Sequence, residues 1–259
     1  ELNSINNVKV HVDEPDTDEG RVQSAAQNLN IPDQTAASSI VLPATGLWGT
    51  AITWESSHPA ILNAETGAIT LPAGPAVEVT LTATIKLNDV EEEFEYVVLV
   101  GYPTLTLAQA VAVAKGEKLA TQGVVTSFSV AENGQVVAFI QDENTGFYAY
   151  KVPAADASKI AVGNLVHFVG DKDIYNNLHQ VRNITAVTLI SSDNEFEPVV
   201  LTNPEQNAAN LGKLVSVTGY LRETPPANAS DFYLVTEYGQ FAIRLVSGSD
   251  SVPATRTAA

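Results

Sequence analysis

Short runs in which Val, Thr, Ile or Leu alternate with polar residues recur along the chain, as in VEVTLTATIKL (77–87) and FEYVVLVGY (94–102). Alternation with a period of two puts the apolar side chains on one face of an extended backbone, so the pattern predicts half-buried strands parted by Gly, Pro and Asn turns. Three segments carry helical spacing instead: RVQSAAQNLN (21–30), LTLAQAVAVAKG (105–116) and ADASKIAVG (155–163). In the second, Thr106 is placed to cap the first turn and Gly116 to follow the last. The expected class is all-β, mainly β with short helices.

The pattern repeats. LTLAQAVAVAKGEKLATQGVV (105–125) lies over LTNPEQNAANLGKLVSVTGYL (201–221) at a constant offset of 96, so that Leu105, Thr106, Gly116 and Gly123 meet Leu201, Thr202, Gly212 and Gly219. Farther on, with three residues deleted, GFYAYKV (146–152) lies over GQFAIRL (239–245). Two copies of one β-rich unit follow, the second too short after its match for two further strands. ELNSINNVKVHV at the start also aligns with NLHQVRNITAVTLI of the first copy, which makes residues 1–12 a candidate closing strand for such a unit.

Composition narrows the classes. With 259 residues, 45% of them hydrophobic and 17% charged, the chain can bury several cores despite a net charge of −17. That charge is uneven: −12 over residues 1–100, −4 over 101–200 and −1 over 201–259. Such a chain repels phosphate overall, least so in its middle and end. It contains no cysteine, which excludes disulfides and thiolate chemistry, and no run of 18 apolar residues that would span a membrane. It opens on glutamate and lacks methionine, so a processed product or a piece of a longer chain is expected.

Two resemblances give the segments names. AAQNLNI, IVLPATGLWGTAITWESSHPAIL (40–62), TGAITLPAG (66–74) and VTLTATIKLNDVEEEFEYVVLV (79–100) resemble the atrophied bacterial immunoglobulin-like family. This implies a β-sandwich whose core Trp54 fills, in a spacer or adhesion module of bacterial surface proteins. GVVTS (123–127), FIQDENTGFYAY (139–150) and VGNLVHFVGDKDIYNNLHQV (162–181) resemble OB-fold domains of bacterial extracellular nucleases and surface lipoproteins, which implies a five-stranded barrel with ADASKI as its helix. The expected organisation is an N-terminal strand (1–12), an immunoglobulin-like domain (13–102), an OB-fold domain (103–193) and an incomplete OB-like unit (198–259).

Candidate chemistry is sparse. His11, His58, His167 and His179 lie far apart in sequence and none has metal-like spacing to another, so catalysis by this chain and a cofactor are not expected. Asp13, Asp16 and Asp18 form a weak calcium candidate. The glycine of that stretch falls out of step and the closing glutamate is missing, so a solvated acidic linker is favoured. The run EEEFE (91–95) reads as the outward face of an edge strand. In the hairpin FIQDENTGFYAYKV, period two separates Phe147, Ala149 and Lys151 from Tyr148, Tyr150 and Val152. If Lys151 lies within the strand, the cost of burying it turns the tyrosines inward; if the strand ends near Tyr150, Phe147 and Ala149 enter the core and the tyrosines are displayed. The candidate ligand-binding residues are then Tyr148, Tyr150 and Lys151, flanked by Tyr175, Asn176, Asn177, His179 and Gln180 from the loop between the last strands. The competing reading takes these aromatics as ordinary strand residues.

The sequence thus leads to a non-catalytic array of β-domains, extracellular or on a bacterial cell surface, for display, adhesion or ligand binding. Its partners would be proteins, glycans or further copies of itself. Single-stranded nucleic acid, met as the accessory region of a secreted nuclease, is the alternative that the acidic charge weighs against. A third expectation is a head-to-tail filament in which residues 1–12 of one chain complete the last unit of the next.

Overall fold

The computed structural model describes residues 14–221 and 231–244. These form two compact units that divide at Gly101, apart from the short segment Ala73–Pro75, which groups with the second. Residues 1–12, and with them the expected N-terminal strand and its filament contact, lie outside the described residues, as do His11 and Asp13.

The first unit begins with α1 (Asp18–Gln27), capped by Thr17, whose side chain accepts from Gly20 N at 3.1 Å. Four strands follow: β1 (Gln34–Thr35), β2 (Ala51–Ser56), β3 (Val77–Leu87) and β4 (Val90–Val100). They form one sheet in the order β1-β4-β3-β2. The alternation in VEVTLTATIKL is realised in full, with Val79, Leu81, Ala83 and Ile85 buried and the threonines on the other face. Below this sheet, α1 brings Val22, Ala25 and Ala26 onto Ala83 and Ile85. Beside it, Leu62 meets Val79, Leu81, Val98 and Val100.

The opposite layer is therefore a helix plus isolated bridges, Ser39↔Ala68 and Leu62↔Ile69, rather than a second continuous sheet. Proline at 43 and 59 and glycine at 46 and 67 interrupt the ladders there. Trp54 does not fill a central cavity: it is half-buried where the two clusters meet, its indole donates to Pro43 O at 2.9 Å, and it contacts the Tyr96 ring at 5.8 Å. The acidic stretch before residue 20 is a helix N-terminus and not a linker, because Asp18 and Glu19 in the first turn complement the helix dipole. Glu91, Glu93 and Glu95 face solvent on β4, where beyond the two residues of β1 the strand has an open side among the described residues.

The second unit opens with β5 (Thr104–Leu105) and α2 (Leu107–Ala112), whose Thr106 and Gln109 cap each other reciprocally. The helix stops four residues short of Gly116, which instead turns the chain into the next strand with a positive φ. β6 (Lys118–Val130), β7 (Val136–Gln141), β8 (Gly146–Val152), β9 (Leu165–Tyr175) and β10 (Leu178–Ser191) then pair in the order β6-β7-β8-β10-β9. β9 returns to β6, closing the ring from Lys118↔Asp171 to Val124↔Leu165. A closed five-stranded barrel with its third and fifth strands parallel is the OB-fold. Its interior holds Phe147, Phe168, Ile140, Val125, Val166 and Val181, with Leu107 and Ala110 of α2 at one end. ADASKI forms a 3-10 turn, Ala154–Lys159, tied down by Lys159 Nζ on Val187 O, rather than an α-helix.

The repeat is visible in the register. β5 pairs with β6 through Thr104↔Ala120 and Leu105↔Thr121; β11 (Val199–Leu201) pairs with β12 (Val215–Val217) through Val200↔Ser216 and Leu201↔Val217, each 96 residues on. β13 (Tyr220–Leu221), β14 (Asp231–Thr236) and β15 (Gly239–Arg244) form a separate antiparallel sheet. Its hairpin reproduces β7–β8 with a two-residue turn, Glu237–Tyr238, in place of four. The loop around Gly212 lies so close to the start of β8 that a side-chain carbon at Gly146 would collide with the Gly212 backbone, which is why that strand begins on glycine.

Burial assigns opposite roles to neighbours on β8. Phe147→Ala should lower unfolding free energy by about 3–5 kcal/mol, as for a buried aromatic, whereas Tyr148→Ala should cost clearly less. Urea unfolding of the two variants checks this.

Candidate ligand-binding face

The direction of the β8 side chains depends on one residue. Lys151 has a φ of +58° and sits in a bulge, because β8 places two residues between Ala149 and Val152 where β7 places one between Ala138 and Val136. The extra residue breaks the alternation. Phe147, Ala149 and Val152 all enter the core, while Tyr148, Tyr150 and Lys151 share the outer face. Neither sequence alternative described this: the strand continues through Lys151, yet the lysine is exposed without turning the tyrosines inward.

Phe139 of β7 stands beside Tyr148 with ring centroids 4.8 Å apart, Tyr148 stacks on Tyr150 at 6.3 Å, and the Lys151 ammonium lies 5.2 Å from the Tyr150 ring centre. The three rings and the cation form a continuous strip. Half-burial raises the Tyr148 phenol pKa, with the neighbouring Tyr150 adding to it, so the Tyr148 hydroxyl stays a neutral donor at physiological pH.

Strand register carries the strip round the barrel. Phe139 pairs with Tyr148, Tyr148 with Gln180 of β10, and Gln180 with Asp173 of β9. Gln180 is buried and donates to Asp173 Oδ2 at 2.8 Å. The same carboxylate receives Lys115 at 2.8 Å and Arg182 at 3.2 Å, and beside it Asp171 receives Lys118 at 3.1 Å and Asn183 at 2.9 Å. Four of the thirteen cations of the chain, Lys115, Lys118, Lys151 and Arg182, are thereby drawn around this side of the barrel. Nothing in sequence spacing joined Lys115, Asp173 and Arg182. Only the register of β9 with β10 and the approach of the Gly116 turn bring them together.

The residues expected to flank the strip divide. Asn176 and Asn177, both with positive φ, make a two-residue hairpin turn of the kind that asparagine favours, and they are exposed together with Tyr175. His179 points the other way: its ring is stacked with Phe147 at 6.5 Å, and its Nδ1 lies 2.6 Å from the ammonium of Lys172, which is 1% exposed. Burial lowers both pKa values, and the charge of Lys172 adds to the effect on His179. Lys172 therefore donates to a neutral imidazole, since a protonated ring has no lone pair to accept with. His179 belongs to the barrel interior and not to the ligand face.

The acidic candidates near the N-terminus are placed as structural groups. Asp18 accepts from Asn88 at 2.8 Å and Arg21 at 2.9 Å, and its pKa is lowered chiefly by the Asn88 hydrogen bond. Glu14 pairs with Arg21. Among the described residues no group of three or more His, Asp or Glu side chains is placed to hold a metal ion. His167 is fully buried, and neither of its ring nitrogens has a partner among the described residues.

Residues 22–101 match the family described as atrophied bacterial Ig domain. No curated protein is significantly similar to the chain. Similar solved structures include a hypothetical protein, ygiW, from E. coli (10% identity, TM-score 0.27, covering 34% of this chain and 89% of that one). Others are the p204 HINb domain (9%, 0.27, 44% and 86%) and the Ifi202 HINa domain in complex with 20bp dsDNA (8%, 0.28, 54% and 98%). The barrel is an OB-fold by its own strand order.

Two pH effects follow. The hydrogen bond from Lys115, then that from Gln180, holds the Asp173 carboxyl far below the ordinary carboxylate range. A depressed folded pKa gives stability that is complete above about pH 5 and is lost as the pH falls toward about 2. Asp173→Asn should be less stable than the parent at neutral pH and show a flatter acid limb in thermal melts. For His167, burial lowers the pKa, so the unfolded chain takes up the proton first as pH drops below about 7. His167→Leu should remove that acid loss between about pH 7 and 5 and raise stability throughout, because it deletes buried unsatisfied nitrogens.

Proposed function

We propose that this chain is a non-catalytic binding module of a bacterial surface or secreted protein, and that the outer strip of the OB barrel is its ligand face. The observation that carries the reading is the stack Phe139–Tyr148–Tyr150 with Lys151 beside it, half-exposed on the two strands of one hairpin. Flat aromatic faces in a row suit rings, whether sugars or bases, that stack in succession. The charged groups nearby, Asp171 and Asp173, are engaged in ion pairs, which suits a contact surface better than acid–base chemistry. The bacterial immunoglobulin-like unit supports a surface setting in which the barrel is held out for display or adhesion.

A second reading is favoured by a specific observation. Lys115, Lys118, Lys151 and Arg182 gather on one side of an otherwise acidic chain, so the strip offers single-stranded nucleic acid both stacking and counter-charge.

Calorimetric titration separates the two. Soluble chito- and cello-oligosaccharides should bind with little salt dependence, and a Tyr148→Ala/Tyr150→Ala variant should lose about 1–3 kcal/mol per stacked ring. Binding of an oligothymidine instead, falling steeply between low and moderate salt, would transfer the function to the second reading. Equal binding by the double variant, or no binding of either class, would sink the ligand face itself.

A further inference from the structure

A cleft of about 690 Å3 opens where β6 passes the end of β7, and another of about 420 Å3 opens in the second copy of the repeat. The two stand at the same place in the repeat. Thr106 and Gly123 line the first, and Thr202 and Gly219, 96 residues on, line the second. Along the first strand of the hairpin the offset is 95, and carried into the turn it sets Gln141, Asp142 and Glu143 of the first cleft against Thr236, Glu237 and Tyr238 of the second. A hollow that survives while most of its side chains differ is a property of the unit and not an accident of one loop.

Its chemistry differs between copies but converges on one guest. In the first cleft Val124, Leu165 and Phe196 supply an apolar floor, while Glu143, Glu195 and Glu197 stand exposed on the rim without an ion pair among the described residues. No lysine or arginine lines it. Gln141, only 6% exposed, has its Oε1 held by Leu214 N–H at 2.8 Å, and among the described residues its Nε2 keeps an unused donor. In the second cleft Tyr220 and Tyr238 are 79% and 59% exposed beside Glu237. Carboxylates over an apolar floor, and aromatic rings beside a carboxylate, both suit a cation carried on an apolar stem. The free amide donor of Gln141 matches a main-chain carbonyl next to such a side chain.

We propose that the repeated cleft is a docking site for basic side chains, arginine or lysine, on an extended segment of a partner protein, through charge in the first copy and through cation–π contact in the second. This site is separate from the tyrosine strip, and its test does not depend on what the strip binds.

The probe is a peptide of Gly-Arg-Gly repeats, titrated calorimetrically against the full chain and compared with the same peptide carrying citrulline for each arginine. The arginine peptide should bind, and the citrulline peptide should bind at least about tenfold more weakly, about 1.4 kcal/mol. Glu195→Gln/Glu197→Gln should weaken the arginine peptide several-fold, and Tyr220→Ala/Tyr238→Ala should reduce the second binding event. Glu91→Gln/Glu93→Gln, which removes the same charge from the immunoglobulin-like unit, should leave binding unchanged. Equal binding of both peptides, no binding of the arginine peptide, or equal weakening by the control pair would overturn the proposal.

Discussion

Closure of the barrel through β6 and β9 is the constraint on which the second unit depends. A ring of five strands has one inside, and the space there is filled by Phe147, Phe168, Ile140 and their aliphatic neighbours. Once Phe147 and Ala149 face inward, Tyr148 and Tyr150 must face outward, and the bulge at Lys151 returns Val152 to the core while keeping the ammonium in water. The aromatic strip is thus a by-product of core packing, placed on two rigid strands rather than on loops. Rigidity of this kind reduces the ordering cost of binding.

The barrel also tolerates polar groups, and it does so in two ways. Asp173 and Gln180, buried on the outer side, are satisfied by Lys115, Arg182 and each other, so their burial fixes the register of β9 against β10. Lys172 and His179, at the inner side, satisfy one another at the expense of the imidazole's charge, and burial lowers the pKa of both. His167 has no such partner among the described residues. The native state therefore loses ground in acid for two distinct reasons: carboxylates held ionised, and imidazoles held neutral.

Much of the fold was legible in the sequence because it is written in periodicity and repetition. The period-two runs, the offset of 96 and the hairpin at 139–152 all reappear, down to the register of β5 on β6 and β11 on β12. The start of α1 is marked in the sequence by Thr17 followed by two acids, but this cap signal lies inside an acidic run that fits a solvated linker equally well. What could not be read is conformational or long-range. A lysine in the left-handed region carries no composition signal, unlike the asparagine pair at 176–177, so the faces of β8 stayed ambiguous. The ion pairs of Asp173 and the inward turn of His179 need the β9–β10 register, which spacing does not provide. Nor does any motif mark the two clefts, which appear only when equivalent positions of the repeats are compared in space.

The central claim is that barrel closure turns Phe147 inward and displays Tyr148 and Tyr150. Solvent paramagnetic relaxation on the full chain, labelled at the phenylalanine and tyrosine rings and exposed to a neutral gadolinium chelate, measures this without any ligand. The account predicts strong broadening of the Tyr148 and Tyr150 ring signals with Phe147 unaffected; broadening of Phe147 with both tyrosines shielded would contradict it.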